Sequence, residues 1–133
     1  MLLSMNLRSL HLEQAHTIAA NLPVMDIAKL LRDQNLRQIY VVDEKGFPVG
    51  IVSATDIISR VVAEGKDVKM VIASDIMSTP LHMIEIDNDI GKAYQEMLSH
   101  STLSLPIVDN GLLVGVLSMT EALKGIVAEK RKQ

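Results

Sequence analysis

The segment Gly50-Ile51-Val52-Ser53-Ala54-Thr55-Asp56 recurs 65 positions later as Gly115-Val116-Leu117-Ser118-Met119-Thr120-Glu121. A repeat at this period constrains the fold strongly, because each copy is one supersecondary unit that must bury its apolar face against something else. Aligned copy against copy, the halves are offset by 66 as far as Asp43/Asp109 and by 65 from Gly46/Gly111 onward, the second turn being one residue shorter. Identities include His16/His82, Ile18/Ile84, Val42/Val108, Gly50/Gly115, Ser53/Ser118, Thr55/Thr120 and Glu64/Glu129. They run through most of each copy, which coincidence does not explain.

Each copy reads as the same string of elements. A short extended segment (16–20; 82–86) precedes a helix over 24–35 or 90–100, whose Ile27 and Leu31, or Ile90, Ala93 and Met97, fall at three-to-four spacing on one face. Asp89 is placed to cap the second of these helices. Two apolar runs follow, 39–42 with 49–52 and 105–108 with 113–117. The turn at Asp109-Asn110-Gly111 marks the second pair as a hairpin, since Gly accepts the positive φ that such turns require. The runs are continuous rather than alternating, as in strands covered on both faces. A last helix starts at Ser53/Thr55 and Ser118/Thr120. A lead-in helix over 68–77 is matched loosely by 6–10 ahead of the first copy. This gives an α/β (α+β) chain of two pseudo-symmetric units, each a small three-stranded sheet with two packed helices, forming one compact module. The expected division is 5–66 and 67–129, each with its own lead-in helix, and a charged tail at 130–133 that frays.

Composition narrows the function. The 133 residues are 48% hydrophobic, almost all aliphatic or Met, with one Phe, two Tyr and no Trp. That leaves few platforms for base stacking, and a net charge of −3 gives no basic face for a phosphate backbone, so no nucleic-acid partner is expected. The absence of Cys excludes disulfides and suits a cytoplasmic location. No segment has the length of apolar sequence a membrane span needs.

Ser53-x-x-Asp56 carries the most specific chemistry. Spacing alone leaves two readings open. In one, Ser53 and Asp56 form a capping box that satisfies the free N–H groups of a helix start. In the other, the carboxylate accepts two hydrogen bonds from a diol such as a ribose, and the helix start favours nearby anionic groups. Gly50 and Gly115, inside apolar runs, mark close backbone approach or a bend.

Two copies carrying stretches such as Val41-Val42-Asp43, Gly46, and Val49-Gly50-Ile51-Val52-Ser53 with Asp56 resemble a tandem pair of cystathionine β-synthase (CBS) domains over nearly the whole chain, about residues 5–128. The resemblance implies a module that binds an adenosine-containing regulatory ligand (AMP, ADP, ATP or S-adenosylmethionine) between the copies, requires no cofactor, and pairs into a disc-like homodimer that can act on an effector protein. Carried over residue by residue, it implies a first site of Arg37, Ile51, Ser53, Thr55, Asp56, His82, Met83 and Ser104. Asp56 takes the ribose, Ser53 the ribose or phosphate, Ile51 the adenine wall, Arg37 and Ser104 the phosphate side, and His82 and Met83 contact adenine through their backbone. The mirror site takes His16, Thr17, Val116, Ser118, Thr120 and Glu121. There Glu121 replaces the family's Asp with one more methylene, and Leu103 stands opposite Arg37, so the second site is expected to be degraded. Tyr40, where the second copy has Pro106, is expected to alter the rim of the first site. A purely structural dimerisation unit is the alternative.

Other chemistries find little support. His11, His16, His82 and His100 fall in different elements without ligand-type spacing, so no metal site is expected. No activated nucleophile, P-loop or carboxylate couple is present in the sequence, and no catalytic residue is expected. Asp56 and Arg60 are spaced for an i,i+4 ion pair.

Overall fold

A computed structural model describes residues 5–131, which divide into two compact units, 16–81 and 5–15 with 82–131. In the first unit, β1 (Thr17–Ala19) leads to α1 (Val24–Asp33), β2 (Gln38–Val42), β3 (Pro48–Ser53) and α2 (Ala54–Ile57), which continues into a π-helical turn over Ile58–Val62; α3 (Ala73–Ile76) closes the unit. The second unit repeats this with β4 (Ile84–Glu85), α4 (Ile90–Ser99), β5 (Ser104–Asp109), β6 (Leu112–Ser118) and α5 (Met119–Arg131), and takes a 3-10 turn at Leu7–Ser9 where the first has α3.

Each sheet has three strands, in the order β1-β2-β3 or β4-β5-β6, the first pair parallel and the second antiparallel. The parallel pair needs a crossover, and α1 or α4 supplies it. Both crossover helices end alike. Asn35 (φ 53°) and Ser101 (φ 52°) adopt the left-handed conformation, and the following N–H groups of Leu36 and Thr102 return to the Leu31 and Met97 carbonyls, satisfying otherwise orphaned acceptors. Asp89 caps α4 as the sequence predicts, its carboxylate accepting the Lys92 N–H at 2.8 Å. The hairpin turn places Asn110 and Gly111 at φ 51° and 84°, the pair of positive values a two-residue loop needs.

The cores are copies of one pattern. Ile18, Val24, Ile27, Leu31, Val41 and Val52 are buried in one unit, and Ile84, Ile90, Ala93, Met97, Ile107 and Leu117 in the other. The lead-in segments are exchanged between the two spatial units. Residues 5–13 pack in the unit of the second copy and 68–78 in that of the first, so each lead-in joins the copy it does not precede. Leu7 sits in the second-copy core, and Ala73 and Ile76 in the first-copy core. Both copies offer equivalent backbone partners to an apolar lead-in, so local sequence pattern does not dictate which copy it joins. Only Ala73–Ile76 of the expected 68–77 helix is α-helical. Lys130 and Arg131 extend α5 rather than forming a separate tail, and residues 132–133 lie outside the described residues.

Candidate functional site

In the unit 16–81, the antiparallel register sets Gln38 opposite Ser53, and the Ala54 N–H donates to the Arg37 carbonyl at 3.0 Å. Arg37, Ser53 and the start of α2 thus meet at one end of the sheet. Ser53 leaves β3 in extended conformation and caps α2. Its hydroxyl accepts the Asp56 N–H at 3.1 Å, and Asp56 Oδ2 accepts the Ser53 N–H at 2.8 Å. Of the two readings of Ser53-x-x-Asp56, the capping box is therefore formed. It does not exhaust the carboxylate, which offers about four acceptor positions. Oδ1 lies 3.9 Å from Arg60 Nε, and the Asp56 side chain is only 16% exposed. Arg60 is held from its other edge, Nη1 donating to the Ile76 carbonyl at 2.8 Å.

The neighbouring strands complete this end. Thr17 pairs with Tyr40 and Tyr40 with Ile51, so the three lie in one row across the sheet. Thr17 and Thr55 are exposed and Ile51 half-buried. The His16 carbonyl accepts the Tyr40 N–H at 3.0 Å, and Tyr40 itself is buried, with 5% of its surface exposed.

The second unit repeats the backbone but not the carboxylate. Ser104 pairs with Ser118 and Pro106 with Val116, and the Met119 N–H donates to the Leu103 carbonyl at 2.8 Å. Ser118 Oγ accepts the Glu121 N–H at 3.1 Å. The Glu121 carboxylate turns to Lys124 instead, Oε1 lying 3.5 Å from Nζ. The extra methylene carries it past the short return that Asp56 makes. Thr120 is exposed and Val116 buried.

The expected first set is thus divided, with Arg37, Ile51, Ser53, Thr55 and Asp56 in one unit and His82, Met83 and Ser104 in the other. Of the mirror set, His16 and Thr17 lie in the first unit, and Val116, Ser118, Thr120 and Glu121 in the second. The four histidines fall in different elements without ligand-type spacing, yet the His82 and His100 rings stack with centroids 3.6 Å apart, and His100 Nε2 lies 3.2 Å from Glu96 Oε2. A contact between a strand lead and a helix end has no local spacing signal. Among the described residues no cluster of three or more His, Cys, Asp or Glu side chains could hold a metal ion, and no helix is long and apolar enough to cross a membrane.

Comparison with known proteins agrees with this architecture. The chain is 37% identical over 101 residues to an uncharacterized protein of Methanopyrus kandleri, covering 75% of this chain and 52% of that one, so it spans about half of that relative. It is 33% identical over 106 residues to the CBS domain-containing protein YhcV of Bacillus subtilis, covering 80% and 74%. Among solved structures, CBSX2 in complex with AMP superposes with a TM-score of 0.76 at 20% identity, covering 96% of this chain and 99% of that one, a likeness of fold. The CBS domain profile matches residues 7–63 and again 73–128. With both copies matched, this chain belongs to the CBS domain family and carries the domain as a tandem pair.

Proposed function

We propose that the chain is a regulatory module that binds an adenosine-containing ligand, AMP, ADP, ATP or S-adenosylmethionine, with Asp56 holding the ribose. The observation that carries this reading is the state of the Asp56 carboxylate. One oxygen is oriented by the Ser53 N–H, while the other has only a guanidinium nitrogen at 3.9 Å, too long for a hydrogen bond. A carboxylate fixed through one oxygen, with acceptor capacity left on the other, is pre-organised for a diol. Arg37 and Ser53, gathered at the same end of the sheet, supply a cation and a hydroxyl for the phosphate side, and Ile51 an apolar wall. The roles expected of His82, Met83 and Ser104 belong to the same proposal. CBSX2, which shares the fold, was solved with AMP, and this favours a nucleotide among the candidates. The mirror set is the weaker one, because Glu121 is drawn to Lys124.

A second reading, self-association through helix faces, rests on a separate observation. Ile58 and Val62 are 61% and 60% exposed, and their repeat counterparts Leu123 and Val127 are 43% and 46% exposed. Solvent-facing aliphatic residues one helical turn apart, duplicated in both copies, suit a homodimer. Under this reading alone the chain is a structural dimerisation unit that needs no ligand.

The test is a thermal-shift series with AMP, ADP, ATP and S-adenosylmethionine. A ligand at a hundred times its dissociation constant adds about 2.7 kcal/mol of stability. No shift with any of the four at millimolar concentration leaves the structural dimerisation reading instead.

A further inference from the structure

The two lead-in segments follow the same path in register, and this exposes a difference between the units. Leu7 N–H donates to the Asn88 carbonyl as Ala73 N–H does to that of Leu22, and Ile90 N–H donates to Met5 as Val24 N–H does to Val71. Asn6 bridges to Asp89 as Ile72 does to Pro23. By this register Arg8 corresponds to Ser74, Asp87 to Asn21 and Asp109 to Asp43. In the second unit the Arg8 guanidinium grips both carboxylates. Nε lies 2.7 Å from Asp87 Oδ1 and Nη2 3.3 Å from Oδ2, while Nη1 and Nη2 each lie 3.2 Å from an Asp109 oxygen. These bonds raise the Arg8 pKa and hold Asp87 below the usual carboxylate value.

The same corner of the first unit lacks the arginine. A cavity of about 820 Å³ opens there, lined by Thr17, Asn21, Asp43, Glu44, Lys45 and Phe47 among others. Asp43 is held in place by its turn, Oδ1 accepting the N–H groups of Lys45 and Phe47, each at 2.9 Å. Phe47, 39% exposed, lines the cavity with an aromatic side chain of the kind on which a planar cation stacks. Asn21 keeps a carbonyl acceptor where the other unit has Asp87. Lys45 is the cation already on this rim, and it has no ion pair with Asp43 or Glu44 among the described residues.

We propose that this cavity binds a guanidinium group, in the place where the duplicated copy holds its own. The group comes either from a free guanidino compound or from an arginine side chain of a polypeptide. The cavity lies at the far end of β2 from Ser53, roughly 15 Å away at strand rise, so it is apart from Ser53 and Asp56, and it shares only Thr17 with the mirror set. Contacts at an exposed corner are weak, and the dissociation constant is on the order of 1 mM.

The experiment is titration of the ¹⁵N-labelled chain with n-propylguanidinium, with uncharged n-propylurea as control. The amides of Asn21 and of residues 43–47 are expected to shift with the cation and not with the urea. Asn21→Asp, which restores the acidic pair, should tighten binding about threefold or more. Asp43→Asn keeps the oxygen that closes the turn and should weaken binding about tenfold. Ser74→Arg, an exposed position, should supply the guanidinium from within and abolish the response. The peptide acetyl-Gly-Arg-Gly-amide distinguishes the sources. Tighter binding than n-propylguanidinium assigns a polypeptide arginine, and equal or weaker binding a free guanidino compound. No response to either cation at 20 mM overturns the proposal, as does a response unchanged in Asp43→Asn and Ser74→Arg.

Discussion

Ser53 and Asp56 hold each other reciprocally, hydroxyl to N–H at 3.1 Å and N–H to carboxylate at 2.8 Å, while their counterparts Ser118 and Glu121 keep only the first of these bonds. The Ser53 cap should therefore contribute to stability whether or not a ligand is bound. Ser53→Ala is expected to cost about 1 kcal/mol, near the middle of the range for loss of an N-cap. Glu121→Ala removes only a surface contact with Lys124 and should cost less than about 0.5 kcal/mol. Urea denaturation of the two variants checks the order, and equal losses would contradict the asymmetry.

The two repeat glycines should differ in their tolerance of a side chain. A Cβ at Gly115 would lie 2.8 Å from Leu12 Cβ and 3.1 Å from the Glu13 backbone oxygen. At Gly50 the nearest atoms are Met77 Sδ and Cγ at 2.7 and 2.9 Å, on a flexible side chain that can move. Gly115→Ala is expected to destabilise by about 1–3 kcal/mol, and Gly50→Ala by less. Thermal midpoints of the two variants are the measurement.

The duplication, the hairpin turn of the second copy and the Asp89 cap were legible because each is written in local spacing. The exchange of lead-in segments was not, since Leu7 and Ala73 suit either core. Nor was the π-helical turn at Ile58–Val62, which the aligned α5 lacks although both read as amphipathic helices. At the candidate site, Ser53 and Asp56 could be found from their spacing, but spacing did not say that a box would form. The Arg60 bond to Ile76 and the His82–His100 stack join residues far apart in sequence, and no periodicity reports such contacts.

Arg8 gives the lead-in segment a pH dependence. Its bonds hold the folded Asp87 pKa below the ordinary 3.8. A depressed carboxylate contributes stability above its unfolded value and loses it as pH falls through the folded one. The midpoint difference between the native chain and Arg8→Met should thus be full near about pH 5 and shrink below 3.8. A difference that stays constant down to about pH 2 would contradict the linkage.

Self-association through the exposed helix residues predicts that Leu123→Glu with Val127→Glu shifts the chain from dimer to monomer in light scattering while leaving its helical circular dichroism intact. A native chain that is monomeric at about 100 μM would remove this part of the account, since a specific homodimer should be populated there.

Isothermal titration with AMP, repeated for Asp56→Ala and Glu121→Ala, measures directly whether the Asp56 carboxylate holds the ligand. Asp56→Ala is expected to weaken AMP at least about tenfold, equivalent to about 1.4 kcal/mol, and Glu121→Ala to change it less than about threefold. Binding that survives the loss of Asp56, or that depends instead on Glu121, would contradict this role of the carboxylate.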